Sequence, residues 1–585
     1  MTLSSSLHLP DAPLRQRETY GTMMRQGNWW ILDLQPNAMM MFKRVFTRIE
    51  KTARDEIRLR RSSETDRLLQ WFADLYPLEM TGADVAALHR SAEEYRETAR
   101  TVGKLLSGEY QPRAFKMALP PRDYQRVAAE MWLRVKRLLL ADDLGTGKTI
   151  SAITGLSDPA TRPAAIVCQT NLPHQWREQI LRCLPSARVH LLQGTTPYDV
   201  PAATAKEERR GGKPPGSGWP DFVILNYHRL DGWASTVGPR VRAVVFDEVQ
   251  ELRHVGTKRY TAAKAITSSA PYVLGMSATP MHNFGGEMFS VVDVLAPGAL
   301  GEREEFNREW TSGEEERKRK IVDPRAFGLH LREAGLMLRR TRRDVNRELP
   351  ALTVVPHHIA ADLGALTAIG GNAALLARTI LDQRMGAGAG LAKMKASGEF
   401  ERVLRQATGI AKAPFVADFV RMVVEGGERV ILAGWHREFW RIVMDRLKDL
   451  APALYSGSES ERQKRAALER FKSGATPVLC LSLRSGTGID GLQYVCRTVV
   501  IGEMDWSPVV HDQLIGRAHR DGQPDPVTAY FLISDEGSDP VVSDVCGAKR
   551  ANTEPIRNPD AQVTTVRVDP AHIRKLAEAY LSRRR

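Results

Sequence analysis

The chain has 585 residues, 43% of them hydrophobic and 26% charged, a globular mix that excludes a disulfide-stapled miniprotein and wholesale disorder. At about 150 residues per domain it holds material for roughly four domains. Lys and Arg number 83 against 69 Asp and Glu, a formal +14 that favours a polyanionic partner, although net charge alone does not separate such a partner from a well-solvated surface.

Residues 1–117 read as Arg-rich helical patterns without a signature motif. Phe42, Val45, Phe46 and Ile49 recur at helical spacing, with Arg44, Arg48 and Lys51 on the opposite face. That face is a nucleic-acid contact or, as we favour, the solvated back of a core-facing helix. From Leu119 the pattern changes to short apolar runs alternating with helical segments: Arg137–Leu140, Ala164–Val167, Phe222–Leu225, Ala243–Phe246 and Tyr272–Leu274. A second series follows at Val430–Ala433, Val478–Leu481, Thr498–Ile501 and Val527–Leu532. Continuous β-type runs separated by helices argue for parallel sheets with covered faces, so two α/β domains are expected. Glu207–Gly218 reads as a surface loop, Glu302–Lys320 as a charged helical stretch and Gly386–Gly390 as a hinge or loop.

The expected organisation is a helical accessory region over 1–117, a first lobe over 118–297, a helical interlobe segment over 298–420, a second lobe over 421–535 and an extension over 536–585. The five cysteines, Cys168, Cys183, Cys480, Cys496 and Cys546, form no C-x-x-C pair, which suits a reducing compartment. The start has no basic n-region before an apolar core, and no run of about 18 apolar residues occurs. A soluble, cytoplasmic protein with no membrane partner is expected.

The chemistry-bearing residues begin with an apolar strand, Leu138–Leu140, running through Ala141, Asp142, Asp143, Leu144, Gly145, Thr146 and Gly147 to Lys148 and Thr149. Glycines let backbone N–H groups approach phosphate oxygens, the following helix adds the positive end of its dipole, and lysine adds a point charge. Asp142 stands where G-x-x-x-x-G-K-[ST] wants its first glycine, so this phosphate cradle is a variant. Next, Val244–Phe246 ends in Asp247, Glu248, Val249 and Gln250, two carboxylates at the exit of a buried strand. In a P-loop enzyme the first holds Mg²⁺ with the Thr149 hydroxyl, and the second orients and deprotonates water. In the other α/β unit Arg517 and Arg520 share a helix face within Gln513–Gln523. Beside a P-loop they would meet the γ-phosphate from across a cleft.

Motif order and content over Leu119–Ser534 resemble the Swi/Snf-type branch of superfamily-two helicases and translocases. Pro121–Gln125 resembles its adenine-reading segment, with Arg122 and Gln125 near the base, and Asp142–Thr149 its phosphate loop. Thr170–Glu178, including Trp176, resembles a DNA-tracking segment, Val223–His228 the next motif, and Ser277–Pro280 the coupling motif. Leu338–Val345, closed by Leu349 and Pro350, is similar to a stretch typical of this branch; Ser482–Gln493, Asp505–Pro508 and Gln513–Gln523 are similar to its later motifs. Gln250 stands where His is usual, Asp143 where Glu is common, and Ser482–Gln493, with Thr487 and Asp490, is not the commonest version.

The resemblance implies two RecA-like P-loop NTPase domains using ATP and Mg²⁺ on DNA, double-stranded or branched and sequence-tolerant. It assigns Lys148, Asp247, Glu248, Arg517 and Arg520 to catalysis, and Arg122, Gln125, Asp142, Gly145, Thr146, Gly147, Lys148, Thr149 and Gln513 to the nucleotide. Thr149 and Asp247 would hold the metal, Gln250, Ser277 and Thr279 would couple hydrolysis to movement, and Thr170 and Arg484 would touch DNA. Trp176 and Trp506 are read as packing beneath their motifs in preference to stacking on bases. A double-stranded DNA translocase is the expected activity, with a strand-separating helicase or a remodeller of a DNA-bound protein as alternatives.

Overall fold

The computed structural model describes residues 19–46, 49, 56–212, 214, 216–280, 285–313, 319–346, 349–362, 364, 366, 390–483, 489–544 and 546. They fall into two compact units, one within residues 1–111 and 296–319, the other within 112–295 and 320–585.

The smaller unit corrects the expectation of a mainly helical N-terminal region, because it also holds a sheet. Gly21–Gln26, Trp29–Leu34 and Ile57–Arg60 form an antiparallel three-stranded sheet, whose first hairpin turns at Gly27 with φ +58°. Helices Pro36–Val45, Ser63–Leu75 and Gly82–Ser107 accompany it. Its core holds Trp30, Leu32, Phe42, Phe46 and Phe72, and the Trp30 indole N–H donates to the buried Asp66 at 2.6 Å. Phe42 and Phe46 are therefore core residues, as the core-facing reading requires, whereas Val45 of the same stripe is exposed; Arg48 and Lys51 lie outside the described residues. The strands escaped sequence reading because Gly21–Gln26 lacks an apolar run and buries only Met23.

The larger unit carries two sheets. The first has seven strands in the order Met337–Leu338, Arg137–Leu140, Tyr272–Met276, Ala243–Asp247, Ala164–Cys168, Phe222–Asn226, Val189–Leu191, all pairs parallel. The second has six, Leu352–Ile359, Val527–Ser534, Thr498–Ile501, Val430–Gly434, Val478–Ser482, Ala453–Tyr455, also parallel throughout. This is the architecture of two RecA-like lobes. The strands Ala164–Cys168, Phe222–Asn226 and Val478–Ser482 are buried at every position, as unbroken apolar runs require in a covered parallel sheet.

The helical interlobe expectation is also corrected, because Met337–Leu338 extends the first sheet and Leu352–Ile359 the second. The segment thus ends one lobe and begins the other. Strand order matters for the site: Tyr272–Met276 lies between the strand leading into the phosphate loop and the strand ending in Asp247. The Ser277 N–H donates to the Leu140 carbonyl at 3.2 Å, so the coupling motif starts between the two. Open parallel sheets bind ligands outside the carboxyl ends of their strands, and these motifs emerge there.

In the second lobe a buried ion pair ties the long helix Gly390–Glu425 to the chain after its last strand. The Lys412 ammonium donates to Asp539 and, at 2.9 Å, to the Leu532 carbonyl. The Ser538 N–H donates to Thr408 Oγ1 at 2.9 Å beside it. Removing one partner of a buried pair typically costs about 3–5 kcal/mol, whereas replacing both by apolar groups is nearly neutral. Asp539→Ala is therefore expected to lower the urea midpoint markedly, and Lys412→Met combined with it to restore most of the loss. An unchanged midpoint for Asp539→Ala would show that the pair holds nothing.

Candidate active site

The loop after Arg137–Leu140 turns through Gly145 (φ +81°) and Gly147 (φ +75°) into the helix Lys148–Leu156. A side chain at Gly147 would be strained at that φ and would also meet the Gln125 amide nitrogen, 2.7 Å from an added Cβ. Gln125 fixes the turn by donating to the Thr146 carbonyl at 3.3 Å, and Tyr124 Oη donates to the same carbonyl at 2.8 Å. The Gln125 carbonyl also accepts from the Arg122 N–H at 3.0 Å, capping its own helix. The Lys148 ammonium folds back onto the carbonyls of Asp142, 2.8 Å, and Asp143, 3.0 Å. Burial pushes it down to about 8, against the pull of Glu248 and Asp142.

Asp142, expected at the nucleotide, has its carboxylate engaged by Arg340 in this structure. Its buried carboxylate accepts from the Arg340 N–H at 2.9 Å and from the Arg340 guanidinium at 2.6 and 3.2 Å. It is outside the lining of the cavity described below. Asp143 is paired in turn with the buried Arg339. Asp142, which replaces a glycine of the usual pattern, and Asp143 thus anchor the loop to the Leu338–Val345 motif.

Asp247 and Glu248 close the strand Ala243–Asp247. Glu248 has φ +56°, a left-handed conformation uncommon outside glycine and found where the surroundings over-determine the backbone. Burial, and next the neighbouring Glu248 carboxylate, raise Asp247 to about 6. Trp176 opposes that rise: its indole N–H donates to Asp247 Oδ2 at 2.9 Å, and the ring is buried. The Thr170–Glu178 segment therefore contributes a carboxylate partner here, consistent with the packing reading of Trp176. Gln250 donates to Glu248 Oε2 at 2.6 Å, while its buried carbonyl oxygen and the buried Thr279 hydroxyl have no partner among the described residues. Ser277 Oγ accepts from the Thr279 N–H at 2.9 Å. The three coupling candidates thus cluster at the first-lobe strand ends with Gln250 bonded to Glu248.

From the second lobe, Arg517 is half-buried, its guanidinium reaching the Ile489 carbonyl at 3.4 Å, with Nε unpartnered among the described residues. Burial and then Arg520 pull it down to about 10, with Glu248 and Asp247 acting oppositely across the lobes. Arg520 pairs with Asp490 at 3.1 Å, and Arg122 of the first lobe with Asp521 at 3.1 Å. A single cavity of about 570 Å³ collects these groups: Arg122, Gln125, Gly145 to Thr149, Asp247, Glu248, Gln513, Arg517 and Arg520 all line it. Asp490, Gln493, Tyr494 and Asp521 also line it; as nucleotide-site residues they went unassigned from sequence, with position in the later motifs as the available signal. Thr170 lies elsewhere, in a second cavity of about 330 Å³ shared by Gln169, Tyr227 and His228 with Tyr455 and Lys464. Arg484 lies outside the described residues.

The SNF2-related domain matches residues 30–362, and the helicase conserved C-terminal domain matches residues 414–522. The chain belongs to the SNF2-related family of ATPases. The match begins well inside the region that carried no recognisable motif. The chain is 23% identical over 418 residues to the Xenopus tropicalis SWI/SNF-related matrix-associated actin-dependent regulator of chromatin subfamily A-like protein 1, covering 68% of this chain and 41% of that protein. It is 24% identical over 425 residues to the human DNA annealing helicase and endonuclease ZRANB3, covering 68% and 36%. The chain thus spans less than half the length of these curated relatives. A solved Sulfolobus solfataricus SWI2/SNF2 ATPase core in complex with dsDNA is 18% identical, with 77% of this chain and 96% of that chain covered, at a TM-score of 0.35. Among the described residues no helix is long and apolar enough to cross a membrane.

The raised Asp247 gives a pH prediction. A carboxyl raised from its ordinary 3.8 to about 6 contributes stability that is fully present below pH 4 and lost as pH climbs through 6. At about 1.36 kcal/mol per unit the loss is up to about 3 kcal/mol. Asp247→Asn removes the ionisation. The nucleotide-free variant is expected to melt above wild type at pH 7.5, with the difference closing towards pH 4. A variant that melts lower across the whole range would contradict the assignment.

Proposed function

We propose that the protein is an ATP-driven motor on double-stranded DNA, closing its two lobes on ATP and reopening them on hydrolysis. The observation that carries this reading is the convergence of Lys148, Asp247 and Glu248 from one lobe with Arg517 and Arg520 from the other on one cavity. Lys148 and the loop N–H groups bind the phosphates, Glu248 orients and deprotonates the attacking water, and the two arginines stabilise charge developing on the transferred phosphoryl group. In this arrangement Arg520 must leave or share Asp490, and Lys148 must leave the loop carbonyls, so both exchange internal partners for phosphate.

The donor set fits Mg²⁺. Two adjacent half-buried carboxylates, one raised to about 6, carry a charge excess that a divalent cation relieves. Among the described residues no cluster of three His, Cys, Asp or Glu forms a metal site by itself, but Mg²⁺ bound chiefly by phosphate and water needs only one or two protein oxygens. Thr149 and Asp247 would supply them. When bound there, Mg²⁺ would supply charge neutralisation for the phosphates.

DNA as the track is supported by family membership, and the cavity carrying Thr170 offers groups from both lobes. Contacts to a phosphate backbone position without reading sequence, so binding should tolerate sequence and weaken with salt. Duplex DNA is expected to stimulate ATP hydrolysis, and Lys148→Ala or Glu248→Gln to reduce the stimulated rate by at least about 100-fold. Arg520→Ala should keep nucleotide binding while losing most hydrolysis. The translocase displaces a third strand from a triplex without unwinding a partial duplex; displacement of a strand from the partial duplex would instead indicate a helicase. Turnover indifferent to duplex DNA would refute the motor.

A further inference from the structure

The Leu338–Val345 motif contains a third arginine that neither anchors an aspartate side chain through its guanidinium nor lines the nucleotide cavity. The Arg342 N–H donates to Asp143 Oδ2 at 3.2 Å, which ties its backbone to the phosphate loop. The guanidinium then divides between the lobes. Nε donates to the Leu144 carbonyl at 2.8 Å on the first lobe, Nη1 meets His519 Nδ1 at 3.2 Å, and Nη2 donates to the His519 carbonyl at 3.3 Å on the second. His519 is held from its other side, where Nε2 lies 2.8 Å from the Pro350 carbonyl. A carbonyl only accepts, so Nε2 carries the proton, and the neutral ring presents Nδ1 as an acceptor to Arg342. Burial favours that neutral ring by pushing His519 down.

His519 is the immediate neighbour of Arg520 and two residues from Arg517. Leu144 is the immediate neighbour of Gly145. A Cβ on Gly145 would stand 3.5 Å from Arg342 Nη2 and 3.6 Å from Arg520 Cβ, so the phosphate loop, Arg342 and the finger residue pack side by side.

Resting on the ATPase reading above, we propose that Arg342 is a positioning residue that sets the register between the phosphate loop and the arginine-finger segment. It acts on the chemistry through Leu144 and His519. Its three guanidinium nitrogens are spent in a planar fork on two lobes, a geometry that the single ammonium of lysine does not reproduce. The expected signature of its loss is misplacement of Arg520 and Arg517 with ATP binding retained, since the loop that cradles phosphate stays anchored by Arg339 and Arg340.

The test uses the full chain with saturating duplex DNA and measures steady-state ATP hydrolysis, binding of a fluorescent ADP analogue and the thermal midpoint for Arg342→Lys, Arg342→Ala, His519→Ala and the Arg342→Ala/His519→Ala pair. A mispositioned catalytic group costs roughly 10- to 100-fold in rate. Arg342→Lys is expected to lose about that much kcat while KM for ATP and analogue affinity stay within about twofold. The double variant should be little worse than Arg342→Ala alone, because residues acting through one contact are not additive. Arg342→Lys with wild-type kcat, a loss confined to KM, or single effects that multiply in the double variant would overturn the inference while leaving the ATPase standing. A wild-type chain inert towards ATP would instead overturn the parent reading, and this one with it.

Discussion

The pairing of Asp142 with Arg340 is the contact on which the nucleotide site depends. Two nearly buried groups of opposite charge meet in a fork, with the Arg340 N–H adding a third donor. Burying either charge alone would cost several kcal/mol, so the phosphate loop and the segment that closes the first sheet stabilise each other. Arg339 repeats the arrangement on Asp143 and reaches the Ala141 carbonyl at 2.7 Å. The loop is thereby pre-shaped before any phosphate arrives. Within it, positive φ at Gly145 and Gly147 and the close approach of Gln125 to Gly147 call for glycine.

That coupling also accounts for the position of the linker between lobes. Met337–Leu338 adds an edge strand to the first sheet, the arginines grip the loop, and the chain then enters the second sheet at Leu352. The same stretch that fixes the phosphate loop therefore leads directly into the lobe carrying Arg517 and Arg520. A rigid cradle with a lobe joined beside it suits chemistry in which phosphate is held by one body and its developing charge is met by another.

Legibility in the sequence followed interaction range. The buried strands were readable because each is a continuous apolar run, and the loop, the Asp247-Glu248 pair and the Arg517/Arg520 pair because their chemistry is local. Val189–Leu191, Met337–Leu338 and Ala453–Tyr455 are too short to carry a period, and Leu352–Ile359 is a largely exposed edge with two histidines and a proline. Asp142 was misplaced because its decisive partner is 198 residues away. Trp176, at 71 residues from Asp247, and Asp490, a strand and a helix before Arg520, were invisible as partners for the same reason. The sheet of the N-terminal unit failed for another: its edge strand buries a single side chain, and alternation with one apolar position gives no pattern to read.

The +14 charge takes on a different meaning once partners are counted by place. Arg113 and Arg134 share Glu130, Arg339 and Arg340 hold the phosphate loop, and Arg137 is spent on the carbonyls of Thr267, Ala270 and Leu295. These arginines are internal forks. At the cavity bearing Thr170, Arg259 pairs with Glu251 at 2.7 Å and Lys464 with Glu461 at 3.1 Å. A DNA phosphate entering there would replace a carboxylate as well as displace counterions. Each such contact then releases less condensed salt than a free cation would, because part of its charge was already neutralised within the fold. The salt dependence of DNA binding should accordingly be shallower than a count of basic residues around that cavity suggests.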